Sequence, residues 1–495
     1  MHSTRRFAVA LFCIATLLCA CAKNSTPSVP ATPPPPVLGD TGGKIKHIVF
    51  IVQENRTFDN LFGGPNPYPG ADAASSGTMS SGTTVALDKI ELECTDSVDC
   101  ASDDPNNFHQ NFLNACDPTS GPPFAVGSQP PCRMDGFDVN QSPGLVYSYV
   151  DYAETKPYWD MAHAYALGDR FFMSHNSESY VAHQYIFSGQ SNNVVDEPDY
   201  HKWYPSPILF MVPWGCDAPS GTTTLTLDAQ GNESPSATGP FPCFGYKSLA
   251  DMAQQANVSW RLYSYSICQN INALDVNQSI RYSSLWPKTD MSGCPYFNWS
   301  NVVNDHFSTP QSSVISDVQN GNLPAISWVL PGPVTSDHPG VPGGYCGPWW
   351  VSQVVNAIGK SKYWDSTAIF VFWDDWGGFY DHVPPYVVRD QAGPGFRVPL
   401  LVISPYAKRN YVSHENGEFG TLLKFTEDTF HLASLHTTDA SPYVNDMNDY
   451  FDFNNPQPFT SISVPSYLLC NYGSAAQNRL QSSDSRWLKM IDDDD

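Results

Sequence analysis

The chain has 495 residues, of which 49 are acidic and 25 are basic, so its formal net charge is −24. This excess of acidic residues excludes nucleic acid as a standing partner, because phosphate backbones are bound by basic surfaces. It still allows a phosphorylated substrate, since a bound metal ion can reverse the field at one site. Hydrophobic residues make up 41% of the chain, enough for the core of one large domain or two medium ones.

The N-terminus has the pattern of an export signal. Arg5 and Arg6 precede an apolar run, FAVALFCIATLLCA, that is too short and too poorly flanked to span a membrane. Because the run ends in LCAC, we predict a lipoprotein-type signal peptide (1–20) and lipidation of Cys21; an ordinary signal peptide cut nearby is the alternative. A Pro-rich tether (21–43) follows. We therefore expect an exported protein of the bacterial cell envelope, lipid-anchored in the periplasm or outer membrane, or else secreted.

Ten of the 13 cysteines lie beyond the signal region, since Cys13, Cys19 and Cys21 belong to it. An even number in an exported chain indicates disulfides, up to five here. Local pairs such as Cys216 with Cys243, or Cys268 with Cys294, are the hypotheses that spacing suggests, although sequence alone does not fix connectivity. The spacings match no zinc-binding pattern.

After the tether, apolar runs with the length and composition of buried strands alternate with helical patterns. The predicted strands are 47–52, 259–265, 325–330, 368–373 and 399–404, and the predicted helices are 246–256, 350–361 and 420–433. This alternation predicts an α/β domain (44–490) whose mainly parallel central sheet is sandwiched by helices. Two stretches rich in Gly, Ser, Thr, Asp and Cys, about 64–145 and 205–245, are interpreted as disulfide-stapled insertions.

Three of the predicted strands run directly into polar residues. In parallel α/β sheets ligands bind beyond the carboxyl ends of the strands, so these residues should meet at one edge. They are Glu54 and Asn55 after the first strand, Asp337 and His338 after the third, and Asp374, Asp375, Asp381 and His382 after the fourth.

At one edge of the sheet, the carboxylates of Glu54, Asp374 and Asp375 would repel one another unless a cation lay among them. Carboxylate and amide oxygens suit one divalent ion, with Ca²⁺, Mg²⁺, Mn²⁺ and Zn²⁺ all admissible. Each member also has an ordinary interpretation when taken alone. Glu54 could pair with Arg56, and Asp375 could cap the turn before Gly377. Such interpretations account poorly for all three strand ends together.

The segment GDRFFMSHNSESYVAHQYIFSGQSNN, 168–193, offers a nucleophile. Ser179 is predicted near the N-terminus of a helix, where free N–H groups favour a phosphoryl group. A serine in that place is also a common helix cap. On the residues alone, the hydroxyl or imidazole groups nearby compete with it for the role; they belong to Ser174, His175, Ser177 and Ser188.

Five ordered motifs resemble the bacterial phosphoesterase family of acid phosphatases and non-haemolytic phospholipases C. They are ENRTFDNLFG, SYVAHQYIFSGQS, SDHPG, FWDDWGGFYDHVPP and RVPLLVISPYAKRNYVSHENGEFGTLLKF, and they span about 44 to 435. The resemblance implies an alkaline-phosphatase-like fold. It also implies hydrolysis of phosphate esters through a covalent phospho-enzyme with a bound metal.

Carried over by motif, the resemblance makes Ser179 the nucleophile and places His109 and His338 near the phosphate. The metal ligands would be Glu54, Asn55, Ser179, Asp374 and Asp375, with Asn55 also a phosphate contact. His382 either contacts phosphate or orients the DDWGG loop. The chain departs from the family at Glu418–Gly420, where relatives often carry a second histidine; either His414 takes that role or the role is absent. It also departs near Ser279, where no histidine is present.

Three functions stay open on the sequence. The resemblance implies threonine at this position in many phospholipase C members, so Ser179 favours an acid phosphatase-type phosphomonoesterase. A phospholipase C acting on glycerophospholipids is the alternative, because Cys21 would tether the enzyme to a membrane and Trp349 and Trp350 could meet lipid, although packing in the core is the simpler role for them. A non-catalytic ligand-binding lipoprotein is the third. The expected partners are a phosphate-ester small molecule or phospholipid and, through Cys21, a membrane.

Overall fold

The structure is a computed structural model that describes residues 41–92, 104–198, 214–234, 238–267, 269–287, 302–340, 346–468 and 470. All of them lie in the second of the two parts into which the chain divides, Leu38–Asp495. The predicted signal peptide, Cys21 and nearly all of the tether fall outside the described residues. Among those that are described, no helix has both the length and the apolar character needed to cross a bilayer.

Strands occur throughout the described part of the chain. In chain order they are β1 His47–Gln53, β2 Ser76–Thr78, β3 Thr84–Ala86, β4 Asp88–Ile90, β5 Ser148–Val150, β6 Ala166–Gly168, β7 Phe171–Phe172, β8 Trp260–Tyr263, β9 Phe307–Ser308, β10 Ile326–Val329, β11 Thr367–Trp373, β12 Leu400–Ile403, β13 Tyr411–Ser413 and β14 Gly417–Glu418. Eight of them form the central sheet, in the order β13-β6-β12-β11-β1-β10-β8-β9. Three two-stranded sheets, β2-β3, β4-β5 and β7-β14, account for the others.

The centre of the large sheet is parallel and buried on both sides. β1 pairs in parallel with β10 and β11, while β12 runs antiparallel to β11 and to β6. Every residue of β11, and every residue of β1 after His47, is buried. Since successive side chains point to opposite faces, both faces of the sheet are covered. Phe50 stacks on Trp328 and on Phe370, each with ring centroids 5.9 Å apart, and so joins three strands.

Helices provide that cover. They are α1 Phe58–Phe62, α2 His109–Cys116, α3 Pro143–Val146, α4 Tyr152–Ala164, α5 Ser179–Ser188, α6 Leu249–Gln255, α7 Gln278–Arg281, α8 Ser313–Asn320, α9 Cys346–Gly359 and α10 Phe419–Phe430. α5 is buried at all nine residues after Ser179, which is unusual for a helix and shows that it lies inside the molecule. Trp350 of α9 is 3% exposed and Trp349 packs against the core, in keeping with the interpretation that these rings pack inside.

The predicted α/β class is confirmed, as are all five predicted strands and three predicted helices, with ends that differ by a few residues. The predicted disulfide between Cys216 and Cys243 is present. Cys116–Cys132 and Cys346–Cys470 are also bridged, and neither pair could be chosen from spacing. The proposed partners Cys268 and Cys294 lie outside the described residues.

Candidate active site

The register of β1 and β11 brings together the four site residues that follow these strands, which are Glu54, Asn55, Asp374 and Asp375. Gln53 is the parallel partner of Trp373, so the two residues after each strand leave the sheet side by side. The N–H of Asp374 donates to the carbonyl of Gln53 at 2.9 Å, and the N–H of Asn55 donates to Oδ1 of Asp374 at 3.0 Å. The carboxyl ends of the two strands are therefore tied to each other where the polar residues begin.

A tight turn after Asp375 allows this close approach. Gly377 has φ +58°, and a Cβ there would lie 2.2 Å from the carbonyl oxygen of Asn55, so only glycine fits. Asn55 itself has φ 57°, a left-handed conformation that asparagine tolerates better than most residues. Asp375 does cap this turn, since its Oδ1 accepts from the N–H of Gly377 at 2.7 Å. The second carboxylate oxygen of Asp375, Oδ2, takes no part in this cap.

Ser179 meets that second oxygen. It is the first residue of α5, and the preceding Glu178 caps the helix by accepting from the N–H of Tyr180. The Ser179 hydroxyl lies 2.9 Å from Oδ2 of Asp375 and 3.2 Å from Oδ1 of Asn55. The structure thus places the predicted nucleophile beside two of the predicted metal ligands. The hydroxyl of the competing Ser177 instead donates to Oδ1 of Asp196 at 2.8 Å.

A buried group that could hold a metal ion adjoins Ser179. Ligand atoms of Glu54, His183 and Asp374 lie within 4.8 Å of one another, and all three residues are 0% exposed. Within the described part of the chain, both Glu54 oxygens and Oδ2 of Asp374 lack a hydrogen bond of normal geometry, with His183 Nε2 no nearer than 3.4 Å. Buried carboxylate oxygens without donors are costly, and a divalent cation is what would satisfy them. The donor set therefore fits a metal ion.

The electrostatics of this group reflect its burial. Burial, reinforced by the neighbouring Asp374, raises the pKa of Glu54 to about 7. Burial also opposes ionisation of Asp374, but hydrogen bonding and attraction from His183 prevail and lower its pKa to about 2. Burial and then Asp374 hold the pKa of Asp375 well above its usual range. The carboxyls thus repel one another, as the sequence predicts.

His183 is the residue that sequence reasoning missed. Its Nε2 lies 3.4 Å from Oε1 of Glu54 and 3.5 Å from Oδ2 of Asp374. Burial disfavours the charged ring, yet the two carboxylates outweigh that effect and raise the pKa of His183 to about 9. Its position four residues after Ser179 was the available signal, because residues i and i+4 share one face of a helix. A histidine on an apolar helix is more often a core residue, so the signal was weak.

His109 lies against the segment that leads into α5. It is 2% exposed, and its Nδ1 lies 2.9 Å from Oδ1 of Asn176. The amide nitrogen of Asn176 donates to the carbonyl of Gln391 at 3.0 Å, so its Oδ1 is left as the acceptor. His109 Nδ1 therefore carries a proton in this contact.

The segment after β10 supplies Asp337 and His338. Oδ2 of Asp337 accepts from Tyr158 Oη at 2.8 Å and from Trp373 Nε1 at 3.0 Å, which fixes the carboxyl behind the site. Attraction between His338 and Glu54 lowers the pKa of Glu54, and the effect is smaller than that of His183. His338 is partly buried, and its Nδ1 lies 2.5 Å from the carbonyl oxygen of Pro339.

Arg56 has a structural role, and among the described residues it forms no ion pair with Glu54. Its guanidinium donates to the carbonyls of Asp337, at 2.8 Å, and Leu92, at 3.2 Å, and to Oδ1 of Asn60. The guanidinium also lies over the ring of Phe379 at 4.7 Å. Because its nearest acceptors are uncharged, it joins the segments around the site without neutralising Glu54.

His382 is placed in another group. Its Nδ1 lies 2.7 Å from Oδ2 of Asp59 and its Nε2 lies 2.9 Å from Oδ1 of Asp72. Both ring nitrogens therefore face carboxylates, which leaves none for a phosphate in this structure. His414 is likewise held by Asp169, with Nδ1 2.8 Å from Oδ2, and Glu418 is paired with Arg389.

Comparison with known proteins agrees with the sequence motifs. The model of the Phosphoesterase family matches residues 45–433. The "Non-hemolytic phospholipase C" of Burkholderia pseudomallei is 24% identical over 458 residues, covering 83% of this chain and 59% of that protein. "Phospholipase C B" of Mycobacterium tuberculosis is 25% identical over 459 residues, covering 83% and 78%.

Among solved structures, a protein of the alkaline phosphatase superfamily from Vibrio parahaemolyticus is 9% identical, with 81% of this chain and 70% of that chain covered and a TM-score of 0.35. A score of that size does not establish a common fold. The family model, by contrast, covers the chain from before β1 to beyond α10. The chain belongs to the Phosphoesterase family.

Proposed function

We propose that the protein is a metal-dependent phosphoric-ester hydrolase in which the Ser179 hydroxyl attacks phosphorus. One observation carries the proposal. The Ser179 hydroxyl, at the first residue of a buried helix, lies 2.9 Å from Oδ2 of Asp375 and 3.2 Å from Oδ1 of Asn55. Membership of the Phosphoesterase family supports the reaction class.

The metal would be held by five residues that the two strand ends and α5 bring together: Glu54, Asn55, Ser179, Asp374 and Asp375. When bound, a divalent ion lowers the pKa of a ligating hydroxyl and offsets charge on phosphoryl oxygens. The donors are carboxylate, amide and hydroxyl oxygens, which Ca²⁺, Mg²⁺, Mn²⁺ and Zn²⁺ all accept.

In the chemical step an Oγ–P bond forms as the P–O bond to the leaving group breaks, and the departing oxygen gains a proton. Asp375 Oδ2 accepts a hydrogen bond from the Ser179 hydroxyl, holds it in place for attack and takes its proton as the Oγ–P bond forms. The positive end of the α5 helix dipole favours the transferred anion. His109 and His338 stabilise its oxygens, and one of them protonates the leaving group. Water then cleaves the Oγ–P bond and regenerates the serine.

The substrate is first proposed as a phosphomonoester, following the serine at position 179. The second candidate is a phospholipid diester, because relatives called phospholipase C match 83% of this chain. Export and a lipid anchor at Cys21 are part of the same proposal and would place the enzyme beside membrane lipid. A non-catalytic binding lipoprotein is the outcome that would oppose both candidates.

A substrate panel tests the proposal. Purified protein is stripped with a chelator and assayed on p-nitrophenyl phosphate and on phosphatidylcholine vesicles, with each of the four divalent ions restored in turn. We expect turnover that requires a divalent ion, with the monoester preferred. Preference for the vesicles would select the phospholipase C alternative. Metal binding without turnover of either substrate would overturn the enzymatic proposal.

A further inference from the structure

A second set of charged groups, three of them buried, lies outside the group that could hold the metal. We call it the Arg397 cluster and define it as Asp59, Asp72, Asp381, His382 and Arg397. Arg397 is 0% exposed. It donates through Nε to Oδ1 of Asp381 at 2.8 Å and through Nη2 to Oδ2 at 3.1 Å, and Nη2 also reaches Oδ1 of Asp59 at 3.3 Å.

The cluster joins the two segments that carry the predicted metal ligands. Asp59 follows Glu54 and Asn55 by only a few residues, while Asp381 and His382 follow Asp375 at a similar distance. Across the gap, the N–H of His382 donates to Oδ2 of Asp59 at 2.8 Å, and the N–H of Asp59 donates to Oδ2 of Asp381 at 3.3 Å. Backbone and side chain of both segments are therefore bonded to each other.

These contacts act together with the ones nearer the sheet. Thr57 Oγ1 donates to the carbonyl of Tyr380 at 2.7 Å, and the Gly377 turn abuts the carbonyl of Asn55. The two ligand-bearing segments are thus joined at the strand ends, at the turn and at the Arg397 cluster. We infer that the Arg397 cluster is a positioning device that sets the separation of Glu54–Asn55 from Asp374–Asp375 and so tunes affinity for the divalent ion.

A second metal ion is the competing explanation for this cluster. Ligand atoms of Asp59, Asp381 and His382 lie within 4.8 Å of one another, a spacing that an ion could also use. Arg397 already supplies positive charge there, with its guanidinium in contact with both carboxylates. Because bidentate Arg–carboxylate pairing satisfies these oxygens, the cluster is complete without an ion.

The inference rests on the proposed function, since it requires the divalent ion to bind between the two segments. Groups that orient metal ligands from outside typically change metal affinity by about 10- to 100-fold when they are removed. The matched control is Asp317, which pairs with Arg261 and accepts from Tyr263 Oη at 2.7 Å. That ion pair lies on α8 and β8, and neither element carries a predicted metal ligand.

The test titrates Mn²⁺, Zn²⁺, Ca²⁺ and Mg²⁺ separately into metal-free protein by calorimetry. Wild type is compared with Asp59→Asn, His382→Asn and the control Asp317→Asn. For the ion that wild type binds most tightly, we expect affinity about tenfold weaker or more in the first two variants and within about twofold of wild type in the control. If Asp59→Asn does not fold, His382→Asn carries the test, because its side chain is 29% exposed.

Turnover provides a second readout. Because the ligands themselves are intact, activity of Asp59→Asn should rise toward the wild-type level as the ion is raised to saturation. If wild type binds an ion and both Asp59→Asn and His382→Asn bind it with unchanged affinity, the positioning role is overturned while the proposed function stands. Wild type that binds none of the four ions would overturn the proposed function and this inference together.

Discussion

The backbone N–H of Asn55 donates to Oδ1 of Asp374 at 3.0 Å, just beyond the last paired residues of β1 and β11. The bond joins two residues that are 319 positions apart in sequence. It explains why a hydrophobic strand ends in polar residues: the parallel register carries both ends to one point. Ser179 is then brought against that point by a helix whose remaining residues are all buried.

Replacement of Ser179 by alanine should abolish turnover and leave the fold intact. The change removes only a hydroxyl at the start of α5, where Glu178 rather than Ser179 caps the helix. We expect activity to fall by about 10³-fold or more, as losses of a nucleophile do, with an unchanged thermal midpoint. The measurement is steady-state turnover, together with acid trapping of phosphoprotein from a ³²P-labelled substrate.

Ser177→Ala is the comparison for this prediction, since that serine is two residues earlier and its hydroxyl bonds to Asp196. It should still form trapped phosphoprotein. Activity close to wild type in Ser179→Ala, or label that disappears only in Ser177→Ala, would remove the nucleophile assignment.

Much of this arrangement could be predicted from sequence because the strands obey simple rules. The run HIVFIV is too apolar for an exposed strand, and the rule that ligands gather at the carboxyl ends of parallel strands locates Glu54, Asn55, Asp374 and Asp375. The location of Ser179 follows from helix-start chemistry. These are local signals, each readable within about ten residues.

Contacts between distant side chains were not predictable in the same way. Whether His183 faces the strand ends depends on how α5 is rotated within the core, and no local pattern encodes that rotation. The partners of His382 depend on Asp59 and Asp72, more than 300 positions away. The bridge between Cys346 and Cys470 spans 124 residues, so spacing alone could not select it.

His183→Gln should destabilise the metal-free protein more than the metal-bound protein. In the absence of an ion, the charged His183 ring is the cation between Glu54 and Asp374. Removing one partner of a buried charge group costs about 3 kcal/mol. Bound Mn²⁺ should reduce this deficit, because it supplies the missing positive charge. Thermal unfolding with and without saturating Mn²⁺ measures the difference.

The control is His306→Gln, at a ring that stacks on Trp260 with centroids 4.3 Å apart. Its effect on stability should be the same with and without Mn²⁺. An equal, metal-independent loss in His183→Gln would show that His183 acts only through packing.

Gly377→Ala should impair both stability and activity. The new methyl would lie 2.2 Å from the carbonyl oxygen of Asn55, and the alanine would have to adopt a backbone φ of +58°. Displacement of Asn55 by a fraction of an ångström or more is then unavoidable, and misplacement of about 1 Å can cost about 100-fold in rate. Turnover and urea unfolding of the variant measure the two effects.

Gly70→Ala separates backbone strain from steric clash. Gly70 has φ +84° with nothing within 4 Å of an added Cβ, so its substitution should cost about 1 kcal/mol through the left-handed backbone alone and leave activity unchanged. Similar activity losses in both variants would contradict the view that contact between Gly377 and Asn55 shapes the site.

The stability of the metal-free protein should depend on pH through His382. Burial disfavours the charged ring, but hydrogen bonding and attraction to Asp59 prevail and raise its pKa to about 9 from an ordinary value of 6.5. A raised pKa means that the charged ring stabilises the folded state fully below about pH 6.5, and that this contribution is lost as the pH rises through 9. The difference in pKa corresponds to about 3 kcal/mol. The same interaction lowers the pKa of Asp59 and is counted once.

Urea unfolding of wild type and His382→Asn at pH 6, 8 and 10 measures this contribution. The difference in unfolding free energy between the two proteins should be largest at pH 6, smaller at pH 8 and close to its minimum at pH 10. The asparagine cannot titrate, so any part of the decline that both proteins share belongs to other groups and cancels in the difference. A difference that stays constant from pH 6 to pH 10 would show that His382 is held by packing and neutral hydrogen bonds, and that its charge does not contribute to the Arg397 cluster.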